Sequence, residues 1–513
     1  MLRRILCLAI SIIIAAGMTA CGTGEKNINS TGSANPNSTD VNISANSAKQ
    51  SISGRSGTGE KQSETKQLNN ANAGVGDNTG NGHLNIATLY NDRYMEEAIQ
   101  EYKKLYPGVT INWRTYAISP NTLIVSDGPG SGGKKAGYVA TEDTDPKDVE
   151  KFVNTLNTEI MSGKAPDIIS VDPLPYRRYA DKNLLTDLGS LMDSDRSFDQ
   201  SRFYKGILDG VRYKGKLYAF PVKFTIDMLV GDSAFLEDPS ISFDDSSWTW
   251  EDFKVISEML IKKSGQPDIA ALIGVSELEL LNYIMGSSYD KFIDMEKKNA
   301  VFNNEFKDML IFCRELLDKK LVNTDTANMT TGRGNTLFQK IQLTMPIDFL
   351  SSAQTEFNGN GKLFSLPGSE NAGVITFKSD AMLSIYNNSK NKTEAWKFIK
   401  FLLSDEIQSD MGLAGFSVNR EAVRANATMA VQILKKGNIK IVGPEGEVNV
   451  KPATEEDIEE MVKVLEKVNR YQSADREVQK IILEEAESFF SGLKSVDEVT
   501  ELIQSRVNLY LKE

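Results

Sequence analysis

The chain has 513 residues, of which 40% are hydrophobic and 25% charged, and its formal net charge is −12. An acidic chain lacks the clustered Lys and Arg that phosphate contacts need, which argues against nucleic acid as a partner. The one histidine, His83, leaves no base for a Ser-His-Asp or Cys-His site and no histidine-ligated zinc.

Arg3 and Arg4 precede an apolar stretch over residues 5–16, followed by Gly17, Met18, Thr19 and Ala20. Residues 1–20 have the shape of a secretory signal. The stretch falls short of the roughly 20 apolar residues that span a bilayer. Met18-Thr19-Ala20-Cys21-Gly22 resembles a bacterial lipobox, in which cleavage exposes a cysteine that carries diacylglycerol. Cys21 is therefore the expected lipidation site, with the protein tethered at the outer face of the cell membrane. Removing the two positive charges Arg3 and Arg4 takes the net charge from −12 to −14. Cys7 leaves with the leader, so only Cys313 remains as a free thiol. It sits in the apolar run Met309-Leu310-Ile311-Phe312-Cys313 and reads as a small core residue. No intramolecular disulfide is then available, and the fold has to be held by its core.

Residues 22–82 are rich in Gly, Ser, Asn and Thr and contain no Phe, Tyr or Trp. Such a segment buries too little apolar surface to offset its ordering entropy, and residues 21–82 are expected to be a disordered tether. A flexible chain of that length reaches on the order of 40 Å.

Residues 83–513 are too many for one core and imply two lobes. Leu84, Ile86 and Thr88 alternate as a strand, and Met95, Ala98, Ile99 and Tyr102 recur at helical spacing up to Pro107-Gly108. Val109, Ile111 and Trp113 predict a second strand, residues 149–162 a helix, and residues 166–171 a buried parallel strand. This βαβαβ order indicates an α/β lobe with right-handed crossovers. Residues 117–148, rich in Gly, Ser and Asp, read as a surface insertion. Thr249-Trp250-Glu251-Asp252 predicts a capping box. Ala395, Phe398, Ile399, Leu402 and Leu403 mark one amphipathic helix, and Val499, Leu502, Ile503 and Val507 another.

No Gly-x-x-x-x-Gly-Lys-Ser/Thr loop is present to hold a nucleotide. Asp143, Asp145, Asp148 and Glu150, and likewise Asp193, Asp195 and Asp199, lack the spacing of a calcium loop and read as helix starts. Glycoside hydrolysis needs only two carboxylates, and no local motif marks a pair among the 70 Asp and Glu. The expectation is a protein that is not an enzyme and carries no cofactor or metal.

Seven segments, in order, resemble the extracellular solute-binding proteins of carbohydrate ABC importers, the family that includes maltose-binding protein. They are Tyr106-Pro107-Gly108-Val109-Thr110-Ile111, then Ser162-Gly163-Lys164-Ala165-Pro166-Asp167-Ile168-Ile169, then Tyr179-Ala180 with the leucines of residues 184–188. Lys214-Gly215-Lys216-Leu217-Tyr218-Ala219-Phe220-Pro221 and residues 248–253 follow, and residues 394–399 and 416–420 complete the series. The resemblance covers most of residues 83–513 and is thin over 117–148 and 425–470.

It implies a type II periplasmic-binding-protein-like fold, α/β in class, with a ligand cleft between two lobes. The expected lobes are residues 83–222 with 376–414, and residues 223–375 with 415–513. It also implies a monomer that captures a sugar by lobe closure and hands it to the permease subunits of an ABC importer. A surface sensor, a receptor for a non-sugar polar solute and a lipid-anchored glycan hydrolase are the competing readings.

Ligands of open α/β sheets bind at the carboxyl ends of parallel strands. After the first strand the resemblance puts ligand contacts at Tyr90 and Asp92, and after Val171 at Asp172 and Tyr176. Lys223 and Thr225 lie on the expected first hinge, residues 221–227. Asp348 and Phe349 end a loop where the family commonly carries a stacking Trp, and Tyr471 offers another platform. Each also has a structural reading: Tyr90 and Phe349 as core aromatics, Asp172-Pro173 as a turn, Tyr176 packed on Tyr179, Lys223 as a paired strand residue. With four Trp in all, the cleft is expected to be less aromatic than in oligosaccharide binders, which favours smaller sugars, sugar acids or other polar solutes. An anionic ligand would draw attention to Lys223 and the pair Arg177 and Arg178.

Overall fold

A computed structural model describes residues 82–513, apart from 120, 128–133, 141–143, 237–243, 267, 326–334, 369–373, 411–412, 436–440, 444–445, 449–451, 473–474 and 513. The leader, Cys21 and the expected tether through residue 81 lie outside the described residues. So does Asp143 of the first acidic cluster.

The expected βαβαβ start is present. Strand His83–Ala87, helix Arg93–Leu105, strand Thr110–Arg114, helix Pro146–Met161 and strand Ile168–Ser170 come in that order, with a strand pair set between Arg114 and Pro146. The helix Arg93–Leu105 buries Tyr94, Met95, Ala98, Ile99 and Tyr102 as one stripe, as the 3.6-residue period requires. The three strands pair in parallel, with His83–Ala87 in the middle. Met382–Ile385 then joins antiparallel to Ile168–Ser170, and Phe220–Pro221 antiparallel to Met382–Ile385. This gives a five-stranded sheet.

A second sheet is built on the long strand Lys223–Asp232, nine of whose ten residues are buried. Phe338–Leu343, Gly361–Ser365, Ile375–Lys378 and Phe416–Ser417 all pair antiparallel to it. Val468–Tyr471 adds to Ile375–Lys378 in parallel. The chain thus passes from the first sheet to the second at Val222 and returns through Ser379, Asp380 and Ala381. These two crossings touch: the Val222 N–H donates to the Ala381 carbonyl at 2.8 Å, and Ser379 Oγ donates to the Lys223 carbonyl at 2.7 Å.

One hydrophobic core surrounds the first sheet and continues through Phe224 and Ile226 to Leu343–Leu350 and the helices Arg420–Lys435 and Glu455–Glu466. A second core gathers Leu229, Trp248, Phe253, Leu310, Phe338 and Val507 under the helices Trp250–Ser264, Asn304–Asp318, Arg476–Phe490 and Val496–Lys512. Cys313 lies in it, fully buried, as its apolar surroundings suggest.

The two stretches where the family resemblance is thin carry secondary structure of their own. The segment read as a surface insertion, residues 117–148, holds an antiparallel strand pair, Asn121–Asp127 with Lys134–Ala140. Residues 425–470 hold most of one helix, a short strand pair Ile441–Gly443 with Gly446–Val448, and the helix Glu455–Glu466. Asp145 and Asp199 accept backbone N–H groups at helix starts, the role expected for those clusters. Among the described residues no helix is long and apolar enough to cross a membrane.

Candidate ligand-binding cleft

A cavity of about 520 Å³ opens where the first sheet, the return crossing and the C-terminal helices meet. Its walls come from Asp172–Arg177 after the strand Ile168–Ser170, from Lys378 and Ser379 at the return crossing, and from Tyr471, Gln472, Asp475, Arg476, Glu477 and Gln479 around the start of the helix Arg476–Phe490. Val149, Asn282, Met295 and Tyr510 complete the lining. Three tyrosines, Tyr176, Tyr471 and Tyr510, are among the lining residues. Asn282, Gln472 and Gln479 supply amide groups that both donate and accept.

Of the residues expected from sequence, the structure brings Asp172, Tyr176 and Tyr471 together on this wall. The Tyr176 ring is buried, and its hydroxyl donates to the Val211 carbonyl at 3.1 Å. Tyr471 packs against Phe377 with ring centroids 5.4 Å apart. Asp172 accepts the Met382 N–H at 3.2 Å. Burial, reinforced by the charge of Asp380, pushes its carboxyl well above the usual carboxylate range.

Tyr90, Asp92 and Lys223 form a neighbouring cluster. The Tyr90 hydroxyl shares a 2.8 Å hydrogen bond with Thr144 Oγ1. Burial raises the phenol's pKa, and the charges of Asp172, Asp380 and Arg476 all reach it. Lys223 has no exposed surface, and its ammonium lies 3.4 Å from both Asp92 and Asp380. Burial disfavours that charge, yet the two carboxylates hold the ammonium above its ordinary pKa. Asp92 also accepts from Ser119 Oγ at 2.9 Å, and burial outweighs Lys223 in raising its pKa. Lys223 therefore ties the first strand's loop to the return crossing. Its paired reading fits this geometry better than direct ligand contact.

Thr225, Asp348 and Phe349 do not line the cavity. Thr225 is buried in the second sheet opposite Lys378. Asp348 is the third residue of the helix Pro346–Thr355, and its carboxylate accepts the Thr344 and Met345 N–H groups at 3.1 Å each. Phe349 belongs to the core around the first sheet. A proline at the first helical position with an acid two residues later is a helix start, and that signal was already in the sequence.

Asp380 was not foreseen, although its charge acts on Tyr90, Asp92, Tyr94, Asp172 and Lys223. The polar run Lys378-Ser379-Asp380 between two apolar strands was the available signal. Arg476, Asp475 and Gln472 were also missed, because only long-range packing brings that helix start to the cleft. The pair Arg177 and Arg178 divides. Arg177 lines the cavity, whereas Arg178 donates to the Tyr510 carbonyl and lies 4.0 Å over the Tyr510 ring.

Solved structures share this architecture. An extracellular solute-binding protein family 1 member from Alicyclobacillus acidocaldarius is similar with a TM-score of 0.54 at 16% identity, over 84% of this chain and 98% of that one. The sugar-binding protein MalE of Xanthomonas citri gives 0.56 at 14% identity, over 84% and 97%. An ABC substrate-binding protein from Listeria monocytogenes in complex with cycloalternan gives 0.52 at 15%, over 84% and 99%. These likenesses show the two-lobed type II binding-protein fold. Residues 87–409 match the family model described as bacterial extracellular solute-binding protein, and this chain belongs to that family.

Proposed function

We propose that this protein is the substrate-binding component of an ABC importer. It captures a sugar between its lobes and passes it to membrane permease subunits, while the lipid on Cys21 keeps it at the outer face of the cell membrane. The observation that carries the reading is the cavity itself, about 520 Å³, walled by three tyrosines, three side-chain amides and several charged groups. A sugar presents flat apolar ring faces and a girdle of hydroxyls, which match aromatic platforms and planar donors and acceptors. Two adjacent crossings between the sheets suit a hinge, which moves rigid bodies about a few extended residues. Cycloalternan in the similar Listeria protein supports a saccharide as the ligand class. The lobes divide near the crossings, as residues 83–222 with 376–414 and residues 223–375 with 415–513, and the protein acts as a monomer. Asp172, Tyr176 and Tyr471 contact ligand in this reading, with Tyr90 behind them.

A thermal-shift screen of the full chain in detergent against mono- and oligosaccharides, amino acids and peptides tests it. A ligand of the native state raises the melting temperature with the logarithm of its concentration over its dissociation constant. At least one saccharide is expected to do so. A silent sugar panel beside a strong amino-acid or peptide response would reject the assignment.

A further inference from the structure

We propose that the sugar is acidic: a saccharide with a uronate unit, whose carboxylate is gripped by Arg177 and Arg476. This rests on the sugar-receptor reading above and narrows its ligand class.

Three cationic side chains line the cavity, Arg177, Lys378 and Arg476. Lys378 is committed elsewhere, because its ammonium lies 2.7 Å from Asp227. The two arginines have no carboxylate within ion-pair distance among the described residues. Arg177 is largely enclosed. Its guanidinium stands 5.8 Å from the Tyr213 ring centroid, and its Nε is buried without a hydrogen-bond acceptor. A buried donor without a partner costs free energy that a ligand acceptor can restore, and a charged donor is restored best by an anion. Arg476 lines the same cavity, at the first position of the helix Arg476–Phe490.

The acidic lining does not cancel these charges. Asp475 spends its carboxylate on the helix start, accepting the Glu477 and Val478 N–H groups at 3.1 and 3.4 Å, and on the Tyr510 hydroxyl at 3.0 Å. Glu477 is exposed, and burial drives Asp172 toward its neutral form. The cleft thus holds two guanidiniums without an ion pair among the described residues, with the Tyr176 hydroxyl and the charge of Asp290 acting on Arg177 and its Nε still unbonded, beside three lining tyrosines. A planar carboxylate fits the guanidinium fork. A single negative charge also suits a wall that still carries Asp475 and Glu477, whereas a phosphate dianion would be repelled more strongly. Closing the lobes removes water and strengthens the contact.

Isothermal titration calorimetry on the full chain in detergent decides the matter. The probes are galacturonate and glucuronate, their short oligomers, the neutral sugars of equal length, and glucose 6-phosphate. A uronate is expected to bind about tenfold tighter than its neutral counterpart, the scale of one hydrogen bond to a charged group. The advantage should fall with added salt and be lost in Arg177→Gln and in Arg476→Gln. Arg476 is exposed, so its variant tests the idea even if Arg177→Gln misfolds. Equal or tighter binding of the neutral sugar overturns the proposal and leaves the receptor reading standing. Tighter binding of the sugar phosphate, or an unchanged preference in Arg476→Gln, overturns it as well. If no saccharide of any kind binds, the receptor reading falls and takes this one with it.

Discussion

At the carboxyl end of the strand Ile168–Ser170, Asp172 is half-buried and takes one backbone N–H, from Met382. Burial and the Asp380 charge together hold its carboxyl well above the usual range. A folded-state pKa raised above the unfolded value, about 3.9 for Asp, means that the folded protein keeps this proton longer than the unfolded chain. Stability therefore falls as pH rises from the unfolded value to the folded one. Asn in this place keeps the acceptor for Met382 and does not titrate. Asp172→Asn is expected to raise the melting temperature of the ligand-free protein, with a larger gain at pH 8 than at pH 5. A gain that is equal at both values, or a loss, would show that the carboxylate is not strained. At this scale the sequence is readable only in part. Asp172 and Tyr176 follow an apolar strand, and that position marked them. Lys223 looked like a hinge residue facing ligand, yet two carboxylates that are distant in sequence claim its charge. Residue identity announces the need for a partner without saying which one.

Elements were more legible where their signals are local. The box at Thr249 forms as expected: the Thr249 N–H donates to Asp252 Oδ2 at 2.8 Å, and the Asp252 N–H returns to Thr249 Oγ1 at 3.2 Å. The strand Val468–Tyr471 was not foreseen, because its partners are Ile375–Lys378 and the short helix Lys205–Gly210, and no local period encodes those pairings. Its close seat depends on Gly206. A Cβ there would lie 2.2 Å from the Val468 carbonyl oxygen and 3.2 Å from Asn469 Cα, both backbone atoms that cannot rotate aside. Gly206→Ala must therefore push helix and strand apart. Overpacking of this kind costs about 1–3 kcal/mol, readable as a lower urea midpoint with an unchanged slope. The same displacement should weaken ligand binding, since Tyr471 ends the strand and lines the cavity. A variant with the parent's midpoint and affinity would mean that the helix does not press on that strand.

For the whole molecule, the βαβαβ opening was enough to foresee α/β structure and the length of the chain to expect more than one core, while the type II architecture came from the family resemblance. Arg177 was singled out in the sequence beside Arg178, but Arg476 could not be foreseen, because it comes to line the same cavity only after the chain has crossed between sheets and returned. Those crossings decide how the molecule can move. Val222 and Ala381 are bonded to each other, Ser379 is bonded to the Lys223 carbonyl, and the Lys223 ammonium bridges Asp92 and Asp380. A pivot so cross-linked resists sliding and leaves bending about the paired strands as the soft motion. Residues 172–177 and residues 471, 472, 475–477 and 479 all line the cavity and fall in different lobes of the proposed division, so bending at the crossings would open or shut it. A ligand drives closure only if it binds the shut form better, and one that touches both walls does so. Small-angle scattering of the full chain in detergent, with the detergent contrast-matched, should therefore show a smaller radius of gyration when a saturating sugar from the thermal-shift screen is added. Arg476→Gln should bind the sugar more weakly and require more of it for the same compaction. If a saturating, tightly bound sugar leaves the scattering curve unchanged, the two walls do not close on their ligand, and recognition by an importer would have to depend on some other feature of the surface.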